Sequence, residues 1–400
     1  MLKRTLGEIL LTTLVVTLMS ETKLKDQYEP ISPKTEITQV NAKINDNQLS
    51  NKKIEINDRY NDLARFLAGM NLREDSEIHD LTFNPDWQEY SHISENKWSK
   101  FNSEKKSKIE KWAGNEIPDA IKDGGTVFYP FSGPDILHAD IFFPNARDYI
   151  LFGLEPVGTI PEFEKTSKDS LKSYFDLLNT SIDDALNLSF FRTNDMKQEL
   201  NNEEIDGTIP ILLLFLARTD KEIVNIKPIE INNNGNISYL NKFAELSGEK
   251  GYNKGVEISF KAGDKDNLRK LYYFSADLSN SGLSNNSQTR LYLDNMERTT
   301  TFIKSASYLM HKSYFSDIRT NILDKSDFIL QDDSGIPFRY LDKKRWGVNL
   351  YGTYTKPIDM FRNHFEQDLQ TAYAENPKPL NFRIGYGKKS NLLVARKNPQ

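Results

Sequence analysis

Two apolar segments separated by a tight turn constrain the fold of this chain more than any other feature. Residues 126–135, TVFYPFSGPD, run from a strand-like start into a turn rich in Pro, Ser and Gly, and residues 148–155, DYILFGLE, form a second strand with an acidic tip. A helix-compatible stretch lies between them, and this order is typical of an α/β fold. Because ligands of open α/β sheets bind beyond the carboxyl ends of strands, the turn and Glu155 are the predicted place for a site.

The composition limits the classes of function. The chain has 400 residues, a formal net charge of −5, no cysteine and 38% hydrophobic residues, which is enough apolar material for a sizeable core. Nucleic-acid binding needs a concentrated basic surface, so no nucleic-acid partner is expected. The absence of cysteine excludes disulfides, thiolate nucleophiles and cysteine-ligated metal centres. No particular cofactor or metal is indicated by the residues.

The first 20 residues predict a signal peptide. Lys3 and Arg4 precede an apolar run over residues 9–19, and Ser20 is the small residue before the expected cleavage point. The run is shorter than the roughly 20 residues that span a bilayer, so no stable membrane anchor is expected after cleavage. Without a cysteine for lipid attachment, the expected location is periplasmic or secreted. An N-terminal amphipathic helix or an uncleaved anchor is the alternative.

The rest of the sequence predicts a mixed, largely parallel Rossmann-like sheet with helices on both faces and an antiparallel insertion, in one main α/β domain over residues 116–400. Residues 21–56 are predicted to be a flexible tether, and residues 57–115 an N-terminal helical region that Asn57 or Asp58 can cap. The continuous apolar run 209–217 predicts a strand at the centre of the sheet. Further strands are predicted at 223–231, 256–260 and 271–274 in the insertion, and at 328–331 and 348–351; further helices are predicted at 166–185, 302–312, 314–323 and 358–373.

The helical region contains a basic and aromatic stretch. Trp98, Phe101, Ile109 and Trp112 recur among lysines, and such a surface can contact membranes or nucleic acid. Interspersed glutamates weaken the basic field, so the preferred interpretation is a packed apolar stripe with its lysines in water. These lysines are Lys97, Lys100, Lys105, Lys106, Lys108 and Lys111.

The first candidate loop combines a predicted helix start with an acidic partner. Ser132 and Gly133 suit a helix cap and Pro134 suits the first turn, so outward backbone amides and Asp135 predict a cradle for an anion. Glu155 lies 22 residues beyond Gly133, near the spacing at which acidic residues bind ribose hydroxyls in dinucleotide folds. A purely structural turn is the alternative.

The second candidate loop is the segment Gln331, Asp332, Asp333 and Ser334, which follows an apolar strand. Adjacent carboxylates point to opposite faces of an extended chain, so they converge on one ligand or metal only if the turn bends between them. Asx hydrogen bonding within the turn is the simpler interpretation. The site hypothesis requires this loop to share one rim of the sheet with Asp135 and Glu155.

Two resemblances add to these patterns. Residues 124–158 resemble the first unit of a class I methyltransferase, although they lack its glycine-x-glycine core. Residues 129–135, 142–144, 150–158, 330–337 and 351–358 resemble a family of exported bacterial proteins of uncharacterised activity, over about residues 120–395. The second resemblance implies export and one large domain, and it implies no catalytic residue or cofactor.

The leading hypothesis is therefore an exported protein of unknown function that binds a small polar or anionic ligand at a strand-end crevice. The predicted ligand-binding residues are Ser132, Gly133, Asp135, Glu155, Gln331, Asp332, Asp333 and Ser334. A carboxylate- or metal-dependent hydrolase, a methyltransferase-like fold with or without its cofactor, and a structural or surface protein remain alternatives.

Overall fold

The computed structural model describes residues 54–122, 124–163, 168–183, 185–186, 206–246, 253–263, 267–387 and 389–399. The predicted signal peptide, residues 21–53 of the predicted tether and the start of the helix predicted at 166–185 lie outside this range. None of the helices formed by the described residues is long and apolar enough to cross a membrane.

The described strands form a single ten-stranded mixed sheet in the order β4-β3-β5-β6-β2-β1-β7-β8-β10-β9. The five strands β6, β2, β1, β7 and β8 run parallel, whereas β5, β3 and β4 at one edge and β10 and β9 at the other join through antiparallel pairs. The strands are β1 (Thr126–Tyr129), β2 (Asp148–Gly153), β3 (Lys221–Ile231), β4 (Ile237–Tyr239), β5 (Lys254–Ala262), β6 (Arg269–Ser275), β7 (Thr299–Ile303), β8 (Ser326–Gln331), β9 (Trp346–Gly352) and β10 (Asn391–Lys397).

Helices cover both faces of this sheet. The helices are α1 (Asp58–Leu67), α2 (Pro85–Phe101), α3 (Ser107–Glu116), α4 (Pro118–Lys122), α5 (Ile136–Phe142), α6 (Lys168–Asp183), α7 (Ile209–Arg218), α8 (Asn280–Asn285), α9 (Ser287–Asn295), α10 (Ser316–Lys325) and α11 (Gln367–Glu375). Tyr129 of β1 packs with the core of α1 to α7, while its neighbour Phe128 packs with the core of α8 to α11. This alternation is the two-residue period of a strand buried on both sides. The mixed α/β class predicted from the sequence is therefore confirmed.

The first helix, α1, packs directly on the sheet. Of the two predicted caps, Asn57 caps α1, since its side chain accepts a hydrogen bond from the Tyr60 amide at 3.0 Å, and Asp58 is the first residue of the helix. The Asn57 amide donates to the Ile223 carbonyl at 2.9 Å, which attaches the start of α1 to β3.

The predicted strand at 209–217 is wrong, because these residues form α7. Every residue from Ile209 to Ala217 is buried, so the helix has no polar face and its sequence shows no helical period. Pro210 in the first turn was the available helix signal.

The predicted helix at 302–312 is also wrong. Its first residues belong to β7, where Thr299, Thr300 and Thr301 favour a strand, and the following residues form a loop and a 3₁₀ turn. The strand predicted at 271–274 in the antiparallel insertion forms part of β6, which pairs antiparallel with β5 as predicted and also pairs parallel with β2, so it joins the insertion to the central sheet. The helix predicted at 358–373 is divided into a 3₁₀ turn, Asp359–His364, and α11.

The chain beyond β2 contacts the chain that leads into α7. The Thr208 amide donates to the carbonyls of Pro156 and Val157, both at 3.0 Å. Gly158 has φ +75, and a Cβ there would lie 1.8 Å from the Asp206 carbonyl oxygen. Two backbone segments therefore cross at a distance that excludes any side chain at Gly158.

We predict that Gly158→Ala lowers the free energy of unfolding by about 2–4 kcal/mol, through left-handed strain and the backbone clash. Gly114→Ala is the matched control, because Gly114 lies in α3 and a Cβ there meets no atom within 4 Å. The control should gain roughly 0.5–1 kcal/mol from helix propensity. Chemical denaturation measures the free energy of unfolding of both variants. Equal stability of Gly158→Ala and the parent would contradict the close backbone contact between Gly158 and Asp206.

Candidate functional site

Both predicted loops lie at the edge of the sheet where the parallel strands end, which we call the carboxyl rim. Lys304 and Ser305, the residues that follow β7, connect them. The Lys304 Nζ is 2.8 Å from Asp135 Oδ2 in the first loop, and the Ser305 amide donates to Asp332 Oδ2 in the second loop at 2.8 Å. Asp135 and Asp332 thus contact adjacent residues at the end of β7.

Asp135 is the centre of a buried polar network. The Tyr129 hydroxyl donates to its Oδ2 at 2.9 Å, and His138 Nδ1 lies 2.9 Å from its Oδ1. Together with Lys304, these groups surround a carboxylate that is 1% exposed. The network holds Asp135 away from solvent and engages both of its oxygens.

Of the two basic side chains in this network, only Lys304 carries a charge at neutral pH. Burial alone would raise the pKa of the Asp135 carboxyl, but His138 and Lys304 hold it below its usual range. Burial lowers the pKa of His138 to about 4, so its imidazole is neutral near neutral pH. Lys304 is therefore the cation that balances Asp135 at pH 7, and His138 contributes a hydrogen bond.

The predicted helix cap is wrong in its position. Asp135, not Ser132 or Gly133, caps α5, because its Oδ1 accepts from the His138 amide at 3.2 Å and the helix begins at Ile136. The Ser132 hydroxyl and amide both donate to the Phe152 carbonyl, at 3.1 and 2.8 Å. The polar groups of this loop are thus occupied by contacts within the protein.

Glu155 lies directly against the first loop. A Cβ on Gly133 would be 3.5 Å from Glu155 Oε2, and one on Gly153 would be only 2.4 Å from it. The Tyr273 hydroxyl donates to the Glu155 carbonyl at 2.9 Å. The two glycines give the Glu155 carboxylate room to fold back between the ends of β1 and β2. The sequence prediction that Glu155 and Gly133 are neighbours is confirmed.

The second loop is an Asx-type turn in which Asp332 accepts a hydrogen bond from the loop backbone and Asp333 lies toward a cavity. Asp332 Oδ1 accepts from the Ser334 amide at 2.9 Å, and the Gln331 side chain exchanges two hydrogen bonds with Ile336, at 2.8 and 2.9 Å. Burial and the neighbouring charge of Asp333 raise the pKa of Asp332 to about 6. Burial also raises the pKa of Asp333, which accepts hydrogen bonds from the Tyr308 hydroxyl and, at 2.9 Å, from Asn391 Nδ2.

Backbone strain is concentrated at the carboxyl rim. Of the five non-glycine residues with left-handed φ in the described chain, four lie in the loops after β1 and β7; they are Phe131, Ser305, Ser307 and Tyr308. Each such residue costs about 1–3 kcal/mol and persists where the surroundings hold it, often at functional sites. The strained loops border the point where the connections from β1 and β7 diverge to opposite sides of the sheet.

A cationic cavity of about 770 Å³ opens at the same rim, between the helical region and the ends of β9 and β10. It contains two carboxylates, Glu104 and Asp183, and Asp183 pairs with Lys97 at 2.9 Å. The basic residues in its wall outnumber these carboxylates; they are Lys97, Lys100, Lys105, Lys108, Arg383 and Lys389.

A smaller cavity of about 310 Å³ adjoins the cationic cavity, and Thr353 and Lys389 line both. Asp333, one of the predicted ligand-binding residues, lies in its wall together with Tyr308, Tyr386 and Asn391. We call it the polar cavity. A further cavity of about 810 Å³ lies beside α1, where Arg73 is already paired with Asp58 and Asp62 at 3.2 and 2.9 Å.

The sequence pattern predicts solvated lysines and therefore does not reveal the cationic cavity. Lys97, Lys100 and Lys108 line one side of a continuous helical stretch in which π-helical residues, Asn102–Lys106, join α2 to α3. The lysine spacing was a visible signal, but Arg383 and Lys389 come from a distant segment that no local pattern connects to it.

Lys105 is the buried member of this set. Its Nζ donates to the Leu186 carbonyl at 3.1 Å, and burial together with the charges of Lys304 and Arg383 lowers its pKa to about 7. Its position in a π-helical turn, an arrangement often found at functional sites, turns it inward while the adjacent Lys106 pairs with Glu110 at 2.6 Å.

Comparison of the sequence with models of known protein families gives no match, and comparison with curated proteins gives no significant similarity. Among the residues that the structure describes, no three His, Asp or Glu side chains are grouped so that they could hold a metal ion.

We predict that Lys304→Met lowers the free energy of unfolding at pH 7 by about 3–5 kcal/mol, because it leaves Asp135 buried without its cation. In the parent, the pKa of Asp135 is lower in the folded than in the unfolded state, so the pair stabilises the fold above about pH 4 and less as the pH falls.

The difference between the variant and the parent should therefore shrink below about pH 4, which denaturation over a pH series measures. Lys343→Met at an exposed position is the control and should change stability by less than about 0.5 kcal/mol. A loss that does not depend on pH would show that Lys304 acts through packing and not through charge.

Proposed function

We propose that this protein binds a small anionic molecule in the cationic cavity at the carboxyl rim. The observation that carries the proposal is the concentration of six basic side chains around about 770 Å³, in a chain whose net charge is −5. A cavity of this size is within the range of small-molecule sites. Cations that converge in a concave wall focus the potential on an anion more strongly than dispersed surface charges do.

Most of these cations are not neutralised by a carboxylate of the described chain, so their charge can act on a ligand. Within the described part of the chain, no carboxylate lies within ion-pairing distance of Lys100, Lys108, Arg383 or Lys389. The guanidinium of Arg383 can bind a phosphate or carboxylate through two parallel hydrogen bonds. Phe101 and Phe382 supply apolar wall beside it, which lowers the local dielectric and strengthens these contacts.

The place of the cavity in the fold also supports the proposal. Taken along the chain, the parallel strands β1, β2, β6, β7 and β8 lie in the order 3-2-1-4-5, which is that of a Rossmann-like sheet. Such sheets bind ligands outside the carboxyl ends of their strands. The proposal includes export, for which the sequence of residues 1–20 is the support.

The geometry between β1 and β2 favours this cavity over the cofactor site of a methyltransferase-like protein. An acidic residue that binds ribose needs space between its carboxylate and the glycine turn. Here Glu155 Oε2 is at van der Waals distance from the Cβ position of Gly133, and Tyr273 closes the same space. An adenosyl or dinucleotide ligand between Gly133 and Glu155 therefore requires that Glu155 move.

Isothermal titration with inorganic phosphate tests the proposal. The parent should bind phosphate with an affinity that falls as salt rises, because the contacts are ionic. The double variant Lys100→Gln, Arg383→Gln removes two exposed cations from the wall and should weaken binding by at least about tenfold, the loss expected for charge-assisted hydrogen bonds.

The matched control is Lys111→Gln, an exposed lysine of α3 outside the cavity, which should bind phosphate as the parent does. Thermal unfolding confirms that both variants fold. The proposal fails if the parent binds no phosphate, or if the double variant and the control bind it equally well.

A further inference from the structure

We infer that the anion bound in the cationic cavity also carries hydroxyl groups, as a sugar phosphate does, and that its hydroxyl-bearing part occupies the polar cavity. This inference rests on the proposed function and names the class of ligand. It depends on three features of the polar cavity: its connection to the cationic cavity, its planar hydrogen-bonding side chains and the carboxylate of Asp333 in its wall.

The two cavities are placed to hold two parts of one molecule. Thr353 and Lys389 line both, so a ligand whose anionic group contacts Lys389 from the cationic side can extend past Thr353 toward Asp333. The polar cavity, at about 310 Å³, has room for a single sugar ring.

The acceptors in the polar cavity are preorganised. Asp333 Oδ1 accepts from Asn391 Nδ2 at 2.9 Å, the Asp333 amide donates to Asn391 Oδ1 at 2.8 Å, and the Tyr308 hydroxyl donates to Asp333 Oδ2. Each carboxylate oxygen has a further lone pair, and Asn391 has a second N–H. A fixed carboxylate beside an amide matches neighbouring hydroxyl groups, which donate to the first and accept from the second.

An aromatic ring completes the wall. Tyr386 lines the polar cavity, and its hydroxyl is held by donating to the Ser305 carbonyl at 2.5 Å and accepting from the Ser307 amide at 3.1 Å. Because the hydroxyl is anchored, the ring has a fixed orientation. Aromatic rings provide apolar contact area for the C–H groups of a flat ligand such as a sugar ring.

The charged residues of the two cavities determine which end of the ligand each cavity binds. The polar cavity has as many carboxylates, Asp333 and Asp359, as lysines, Lys356 and Lys389. In the cationic cavity the basic residues outnumber the carboxylates, so an anionic group is favoured there over the polar cavity. Asp359 is partly balanced by Lys356 at 3.4 Å, whereas Asp333 is bound by neutral groups. The phosphate thus belongs in the cationic cavity and the hydroxyl groups belong beside Asp333.

Isothermal titration with four probes tests this inference: inorganic phosphate, monobutyl phosphate, ribose 5-phosphate and glucose 6-phosphate. At least one sugar phosphate should bind at least tenfold more tightly than inorganic phosphate. Monobutyl phosphate, which has an apolar chain and no hydroxyl group, should bind within about threefold of inorganic phosphate. Both sugar phosphates binding no more tightly than monobutyl phosphate would overturn the inference while leaving anion binding intact.

Asp333→Asn locates the hydroxyl site. This nearly isosteric variant replaces the Asp333 carboxylate with an amide, so it should abolish the advantage of the sugar phosphate and leave the affinity for inorganic phosphate unchanged or slightly higher. Asp342→Asn, at an exposed position outside both cavities, is the control and should behave as the parent does.

The outcomes separate the two proposals. Loss of inorganic phosphate binding in Lys100→Gln, Arg383→Gln supports the anion site, and loss of the sugar advantage alone in Asp333→Asn supports the hydroxyl site. If Asp333→Asn folds, as thermal unfolding shows, and retains the full advantage, the hydroxyl-bearing part binds elsewhere and the inference is wrong.

Discussion

The ion pair between Asp135 and Lys304 joins the loops on which the carboxyl rim depends. Both side chains are almost fully buried, and each charge would be costly to bury without the other. Asp135 caps α5 after β1, and Lys304 follows β7, so the pair fixes the two loops at the point where the chain connections diverge. The hydrogen bond from the Ser305 amide to Asp332 extends the same arrangement to the end of β8. Three neighbouring strand ends are thus held by charge and by backbone hydrogen bonds together.

This arrangement divides the rim into a filled side and an open side. Between β1 and β2, the Glu155 carboxylate and the Tyr273 hydroxyl occupy the space beside Gly133. Beyond β8, the segment before β10 and the loop after β9 leave the cationic and polar cavities. The ligand site proposed for this protein therefore lies to one side of the strand pair where Rossmann-like sheets hold their cofactor. The acidic loop at Asp333 belongs to the open side, and the acidic loop at Asp135 supports it from within the core.

The sequence predicted those parts of the fold that local patterns determine. The β1 and β2 strands followed from their continuous apolar runs, the Asn57 cap from side-chain chemistry, and the neighbourhood of Glu155 and Gly133 from spacing. The α7 helix was not predictable from its period, because burial on every side removes the polar face that distinguishes a helix from a central strand. The cationic cavity was not predictable because part of it is formed only by tertiary structure: the lysines between Lys97 and Lys108 line a cavity only where Arg383 and Lys389 approach them.

The strained loop after β7 explains why two adjacent acidic residues, Asp332 and Asp333, have different surroundings. Ser305, Ser307 and Tyr308 all adopt left-handed φ, a conformation that a loop of ordinary residues avoids unless its contacts require it. At the start of this loop the Ser305 amide donates a hydrogen bond to Asp332, and at its end the Tyr308 hydroxyl donates one to Asp333. Asp332 is thereby bound within the core, whereas Asp333 lies in the wall of the polar cavity. The hydrogen bonds that the strained backbone provides to Asp332 and Asp333 offset its cost, and the same conformation fixes the position of the Asp333 carboxylate.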